Sequence, residues 1–337
     1  MKAWTLPRLL LLIAGSALLW GILAAGCLCF GSTHFGFPAN PELLRLRLEP
    51  TLLASLVGAA LAAAGVAYQA ILRNPLADPY LLGVSSGAAL AVYLWTFPSA
   101  LLGPVLLSVS QQTFAYVGAL TALAIVFILS QRSGRLEPVT LLLVGVIVNA
   151  ICGALFLLVY QLNLLHDVTA ATGGPFRFLI GGLNTSLTAA QRYTALGVIG
   201  IGWIILLLLG GQLNVATLSE AEAQSLGVRI HRLRWTALIV ASLITAAAVA
   251  VSGPIGFIGL VCPHLGRLLV GSDQRRLLPI STALGAGLLA IADAISRQIS
   301  PQTGTMPVGV LTAMLGGPFF LFLLWQTRRR AGAAGSA

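Results

Sequence analysis

The side chains of this sequence that could do chemistry are few and far apart. Its four histidines and four cysteines form no CxxC pair and no Cys/His set with the spacing that holds zinc. Its single lysine is Lys2, which excludes a Walker A loop, because that loop needs a lysine for the β- and γ-phosphates. The sequence therefore predicts no metal site, no bound cofactor and no ATPase site of its own.

One acidic residue, Asp293, lies clearly inside an apolar run. Ionisable groups inside a membrane often serve ion transport, so an ion-coupled secondary transporter using Asp293 is one hypothesis. Arg297 follows one helical turn later, where an i, i+4 ion pair would neutralise the carboxylate, and we favour this structural pairing. A further hypothesis, an intramembrane enzyme using Cys262 or His264, lacks any paired acid, base or nucleophile spacing.

The elements that must position these residues are apolar. The 337-residue chain is 58% hydrophobic and 8% charged, whereas soluble domains carry about 25% charged residues. This composition excludes a water-soluble enzyme or signalling domain. Nucleic acid is also excluded as a partner, because the net charge of +10 has no extended polar surface to display it.

Ten apolar runs are long enough to cross a bilayer as helices, which takes about 20 residues each. We therefore predict an all-α integral membrane protein that forms a single domain over residues 1–337. The segments 80–97 and 255–271 are the weakest, because they are short and rich in Gly and Pro. The predicted spans are 9–30, 51–72, 80–97, 113–130, 139–160, 194–210, 235–252, 255–271, 277–296 and 306–326.

The distribution of basic residues predicts the orientation. With the N-terminus in the cytoplasm, fourteen of the 19 Lys and Arg residues fall on the cytoplasmic side, as the positive-inside rule requires. An odd number of spans would place the cluster 328–330 outside. We therefore expect both termini to be cytoplasmic.

The longest polar segment, residues 212–233, joins the sixth and seventh spans. Ser219 and Glu222 have the spacing of a capping box, and Glu220 also favours a helix N-terminus. Gly227 is placed to end the helix as its C′ residue. So short a helix needs a packing partner, and two interpretations stay open: an ordinary connector, or a docking helix for a cytoplasmic protein.

Two other segments are rich in proline and glycine. Residues 72–79 contain two prolines four positions apart, which exclude a continuous helix. Residues 252–267 hold a Gly-punctuated stretch between Pro254 and Pro263, and such irregularity at membrane depth must be covered by protein or line a cavity. A stripe of small residues in the second span predicts close helix packing; its members are Ala59, Ala63 and Ala67.

In this order, these segments resemble the permease subunits of ABC importers for iron-siderophore chelates, haem and vitamin B12. The resemblance covers residues 45–327 and rests on several strings at family-like spacing. The strings are 73–79 with 82–87, 253–260 with Pro263, His264 and Arg267, then 275–279, 307–309 and 317–320.

The resemblance implies a vitamin B12-permease-like fold in a bacterial inner membrane. It implies a second permease copy or a close paralogue, and ABC ATPase subunits that bind ATP and Mg on the cytoplasmic side. It also implies a periplasmic or lipid-anchored substrate-binding protein. The cargo would be an iron chelate (siderophore or haem) or cobalamin, and its path would follow the fifth and tenth spans.

The resemblance also assigns roles to single residues. We call residues 212–233 the coupling segment, because they match the helix that contacts the ATPase, with Ser219, Glu220, Glu222, Ala223, Leu226 and Gly227. The predicted cytoplasmic gate consists of Asn74, Leu76, Glu137 and Pro138, and the predicted docking residues for the binding protein are Arg47 and Arg297. Glu49 departs from the family pattern, in which Arg-Leu-Pro-Arg usually stands where this chain has 47–50.

Overall fold

The computed structural model describes residues 6–30, 36, 38, 40–96, 110–132, 135–164, 180–183, 187–218, 220–299 and 306–334. Within these ranges the chain forms eleven α-helices and one short antiparallel hairpin, Gln131–Arg132 with Arg135–Leu136. The helices are α1 (Leu6–Leu28), α2 (Pro41–Leu72), α3 (Val84–Thr96), α4 (Gln111–Leu129), α5 (Pro138–Leu164), α6 (Ala189–Ala216), α7 (Glu220–Ser225), α8 (Ile230–Ser252), α9 (Ile258–Val270), α10 (Gln274–Ile299) and α11 (Val308–Ala334).

The predicted all-α membrane fold is confirmed. Each of the ten predicted spans coincides with one helix, and α7 is the additional short helix between the sixth and seventh spans. Seven helices in the described ranges are long and apolar enough to cross a membrane, and shorter apolar stretches form α3, α9 and the Val308–Phe322 part of α11. The cytoplasmic position of both termini stays a prediction.

The predicted spans 80–97 and 255–271 are corrected, because each is broken near its start. A 3₁₀ turn at Pro79–Leu82 precedes α3 and ends at Gly83, whose φ is 75°. Helix α9 begins only at Ile258, after Phe257 with a φ of 71°. Both helices have 13 residues, because a left-handed residue interrupts the helical hydrogen bonds just before them.

The predicted start of the second span is also corrected. Helix α2 begins at Pro41, ten residues before the apolar run, and contains Pro50 inside it. Proline is well suited to the first turn of a helix, where its missing N–H needs no partner. The charged first turns therefore continue the apolar helix beyond the limit that hydropathy indicates.

Helix α2 packs against α8, α9 and α10, and nearly all of its second half is buried. Two of these contacts bring backbones together. A Cβ on Gly58 would lie 2.1 Å from the carbonyl O of Gly285, and a Cβ on Gly65 would lie 2.0 Å from that of Gly259. Ala63 and Ala67 of the predicted stripe are buried, but glycines make these closest approaches.

Candidate functional site

The coupling segment contains the predicted short helix. Helix α7, Glu220–Ser225, packs between α6 and α8, and Ala223 is completely buried. Gly227 has a φ of 73°, and the N–H of Val228 donates to the carbonyl O of Ala223 at 3.2 Å. This bond is the Schellman contact expected of a helix that ends at a C′ glycine.

The outer side of α7 is available for contact with another protein. Glu222 is exposed, and two leucines that flank the helix, Leu218 and Leu226, are 39% and 61% exposed. Ser219, the predicted N-cap, lies outside the described residues, as does the side chain of Glu220. Carboxylate and leucine side chains side by side can bind a groove with basic and apolar walls.

The end of α6, where the coupling segment begins, is fixed to two neighbouring loops. Arg73 Nε donates to the carbonyl O of Ala216 at 2.9 Å. Asn214 Nδ2 donates to Asp273 Oδ1 at 2.8 Å, and Asn214 Oδ1 accepts from the backbone N of Gln274 at 2.7 Å. These hydrogen bonds connect the start of the coupling segment to the end of α2 and to the start of α10.

A buried glutamine joins the two proline-rich segments. Gln69 Nε2 donates to the carbonyl O of Ala77 at 3.3 Å and to that of Gly259 at 3.1 Å. Its Oε1 accepts from both Nη1 (2.7 Å) and Nη2 of Arg267. We call these four residues, together with Asp78, the Gln69 cluster.

Asp78 completes the cluster at the start of the 3₁₀ turn. Its Oδ1 accepts from the backbone N of Tyr80 at 3.0 Å, and its Oδ2 accepts from that of Phe257 at 3.0 Å. Both amides lie at the start of a helical segment, where N–H groups have no intrahelical acceptor, so the carboxylate supplies the missing acceptors. The sequence did not predict that Gln69 and Asp78 hold these segments together. The only local signal was the carboxylate of Asp78 next to a proline.

A cavity of about 840 Å³ lies beside the Gln69 cluster. Its walls come from the loop after α2, the segment before α9 and the first half of α11. They are mainly apolar and aromatic, and no Lys or Arg of the described residues lines them. The cavity residues are Leu76, Asp78, Tyr80, Ile180, Pro254, Gly256, Phe257, Leu260, Gly309, Val310, Ala313, Met314 and Phe320.

The four predicted gate residues lie at two places, the loop after α2 and the start of α5. Leu76 lines the cavity, and Asn74 shapes the same loop, since its Oδ1 accepts from the backbone N of Leu76 at 3.0 Å. Glu137 is exposed and accepts from Thr140 Oγ1 at 2.8 Å, next to the start of α5. The side chain of Pro138 lies outside the described residues. The gate role stays a prediction for all four.

The two predicted docking arginines meet in one cluster. Arg47 is 8% exposed and its Nη1 donates to the carbonyl O of Leu28 at 2.8 Å. Arg297 Nη2 lies 2.9 Å from Asp293 Oδ2 and 3.3 Å from Thr51 Oγ1, and Thr51 in turn donates to the carbonyl O of Arg47. The i, i+4 ion pair of Asp293 is thus confirmed, while docking stays a prediction.

The described residues contain no group of three or more His, Cys, Asp or Glu side chains that could hold a metal ion. The loop after α2 borders the cavity. The hydrogen bond of Arg73 also connects this loop to the end of α6, where the coupling segment begins. The arrangement is therefore suited to passage of a ligand through the cavity and to coupled movement of these two segments.

Comparison with known proteins covers nearly the whole chain. The profile of the FecCD transport family matches residues 10–326. The chain is 42% identical over 290 residues to the hemin transport system permease protein HmuU of Yersinia pestis, covering 85% of this chain and 84% of the relative. It is 39% identical over 303 residues to the cobalamin import system permease protein BtuC of Halobacterium salinarum, covering 88% and 78%.

A solved structure is also similar to nearly the whole of this chain. A transporter assigned to the metal-chelate type of ABC transporters, in an inward-facing conformation, superimposes with a TM-score of 0.77 at 29% identity. The match covers 94% of this chain and 99% of that chain. The residues that the family profile matches include both the helices around the cavity and the coupling segment.

Proposed function

The chain belongs to the FecCD transport family, and from this premise we propose that it imports a bulky metal chelate as part of a larger complex. It is a multi-pass inner-membrane permease of the type II ABC importer class. In our proposal ATP hydrolysis in partner subunits drives transport, and a periplasmic or lipid-anchored binding protein delivers the cargo. The chain itself performs no chemistry.

The observation that carries the cargo class is the lining of the 840 Å³ cavity. A small oxyanion would need fixed positive charge or several donors, whereas a siderophore, haem or corrinoid presents a large, mostly apolar surface. Aromatic and aliphatic walls with a few polar groups are typical of sites for such ligands. The only carboxylate in the described lining, Asp78, already accepts two backbone hydrogen bonds.

A second copy of the chain, or a close paralogue, would form the opposite wall of the path. The cavity takes its walls from α11 and from the loops beside α2 and α9. In our proposal, α5 and α11 of two copies face each other across this path, and the loops with Leu76 and Glu137 close it towards the cytoplasm.

The coupling segment would transmit the movement of the ATPase. In its short helix Ala223 is completely buried, while Glu222 and the adjoining Leu226 are exposed. The nucleotide can shift the membrane halves only as far as it prefers one arrangement of the complex to the other. A helix seated in the ATPase carries this preference to the end of α6.

Docking of the binding protein is assigned to the start of α2, which holds Arg47, and to the end of α10, which holds Arg297. Acidic groups of a binding protein would bind Arg297 alongside Asp293, because a guanidinium has five N–H donors. Replacing Arg297 by Glu should weaken capture of the loaded binding protein, measured as its affinity for the reconstituted complex. Unchanged affinity would remove Arg297 from the docking site.

The ion-coupled alternative has less support. Asp293 and Arg297 are 7% and 13% exposed in their side chains and form an ion pair. A buried ion pair is strongly destabilised when one partner is lost, so protonation of Asp293 during a transport cycle would leave a buried guanidinium charge without its counter-ion. This pair fits a structural role.

Transport in proteoliposomes tests the proposal. With its ATPase subunits and binding protein, the chain should take up a ferric siderophore, haem or cobalamin only with ATP, and should not take up molybdate. The chain alone, under a proton or sodium gradient, should transport none of them. Uptake by the chain alone would establish the ion-coupled alternative, and ATP-driven uptake of molybdate would refute the cargo class.

A variant pair tests the cavity itself. Val310→Trp narrows the cavity and should slow uptake of the chelate, while Leu208→Trp, at a site on α6 that is 77% exposed and outside the lining, should not. Equal uptake by both variants would place the path elsewhere.

A further inference from the structure

A groove between α1, α2, α6 and α10 is not explained by transport. Its cavity volume is about 580 Å³, and its walls are almost entirely apolar. It opens away from the protein, since Leu52 and Leu196 on its rim are 44% and 52% exposed. All four helices are long and apolar enough to span a membrane. The groove therefore faces the hydrocarbon of the bilayer.

The length of the groove matches one leaflet. It follows α2 from Glu49 to Ala59 and α6 from Arg192 to Trp203, which is roughly 15 to 17 Å at the helical rise. The hydrocarbon core of a bilayer is about 30 Å thick, so that one leaflet contributes about 15 Å. An acyl chain of one phospholipid fits this length.

The mouth of the groove carries two opposite charges side by side. Arg192 Nη1 lies 3.1 Å from Glu49 Oε1, and the side chains are 43% and 49% exposed. Arg192 also donates through Nε and Nη2 to the carbonyl O of Leu187, which holds the guanidinium at the mouth. An exposed ion pair adds little stability. Its charges match a zwitterionic headgroup, with the phosphate at Arg192 and the ammonium at Glu49.

Two polar atoms inside the groove lack a partner. Ser55 is 4% exposed, and its Oγ, like Trp20 Nε1, is buried without a hydrogen bond among the described residues. Both residues line the groove. Buried polar groups are nearly always hydrogen-bonded, and the ester carbonyls of a glycerophospholipid are acceptors that both donors need. Ser55 lies six residues after Glu49, about 9 Å deeper along the helix.

We propose that this groove is a binding site for one zwitterionic phospholipid of the surrounding bilayer, of the phosphatidylethanolamine class. Its headgroup pairs with Glu49 and Arg192, its ester carbonyls accept from Ser55 and Trp20, and one acyl chain fills the apolar groove. An anionic phospholipid such as phosphatidylglycerol offers Glu49 hydroxyl groups but no cation. The site is independent of the cargo and of the ATPase.

The complex, purified in a mild detergent, should retain phosphatidylethanolamine in preference to phosphatidylglycerol, as measured by native mass spectrometry with each lipid added in turn. Glu49→Gln should reduce this preference several-fold, because the ammonium loses its partner and the phosphate keeps Arg192. Equal retention of the two lipids by the unaltered protein would overturn the proposal.

A matched pair of alanines tests the groove. Ala17 lines it, whereas Ala14 lies with Leu11 and Leu18 on the exposed side of α1. Ala17→Phe should displace the bound lipid, and Ala14→Phe should leave it in place. Retained lipid in both variants would refute the site. Leu196→Cys gives a second test, because a disulfide between two copies at this position would show that a protein surface fills the groove, which would also refute the site.

Discussion

The Gln69 cluster and the coupling segment are connected through the loop after α2, yet they are held in different ways. Gln69 is 4% exposed and hydrogen-bonds two carbonyl groups and Arg267. Among the described side chains of α7 only Ala223 is buried, and the flanking leucines are exposed. The first region is complete within the chain, whereas in our proposal the second gains most of its contacts from a partner. The contrast separates substitutions that affect folding from those that affect coupling.

The largest expected change in stability comes from the backbone contact beside the cluster. In Gly65→Leu the new Cβ would overlap the carbonyl O of Gly259, 2.0 Å away, and overpacking of this kind costs about 3 kcal/mol or more. The variant should yield no monodisperse protein on size-exclusion chromatography in detergent. Gly153→Leu, where a Cβ would meet nothing within 4 Å, is the control and should elute like the unaltered chain.

Removal of the central glutamine should have the next largest effect. Gln69→Ala leaves Arg267 and the carbonyl groups of Ala77 and Gly259 without this partner, and each buried group left unpaired costs about 1–3 kcal/mol. The midpoint of thermal unfolding in detergent should fall clearly, while Gln161→Ala, at an exposed position on α5, should leave it unchanged. Equal midpoints would show that the cluster adds nothing to stability.

A smaller change is expected at the end of α7. Gly227 has a φ of 73°, and a β-branched residue in this conformation costs about 1–2 kcal/mol. Gly227→Val should therefore loosen the short helix and lower ATP-driven uptake, with the unfolding midpoint of the membrane domain almost unchanged. Gly227→Asn should transport normally, because Asn adopts this conformation more readily. Impaired uptake in both variants would assign Gly227 a role other than backbone conformation.

The smallest change in stability, with complete loss of coupling, is expected for the double variant Glu220→Arg and Glu222→Arg. The reversed charges should repel a basic ATPase groove, while the unfolding midpoint stays as in the unaltered chain. ATPase stimulation by cargo-loaded binding protein should disappear. Normal stimulation would show that the coupling segment does not contact the ATPase through these carboxylates.

The sequence predicted what depends on local pattern. The ten helices follow from apolar runs, and the end of α7 follows from Gly227, because both signals lie within a few neighbouring residues. The pairing of Gln69 with Arg267 could not be predicted, because these residues are 198 positions apart and no local rule fixes their contact. Likewise the alanine stripe indicated a packing face, but the choice of Gly58 and Gly65 as contact points depends on where α9 and α10 cross α2.

The two 13-residue helices, α3 and α9, share one consequence of their length. Each is about 20 Å long, which is shorter than a hydrocarbon core of about 30 Å, so the irregular segment before each helix must lie at membrane depth. Such backbone must be covered by protein or line a cavity. Tyr80 and Phe257, one from each irregular segment, both line the large cavity, so the breaks that shorten these helices also supply part of its wall.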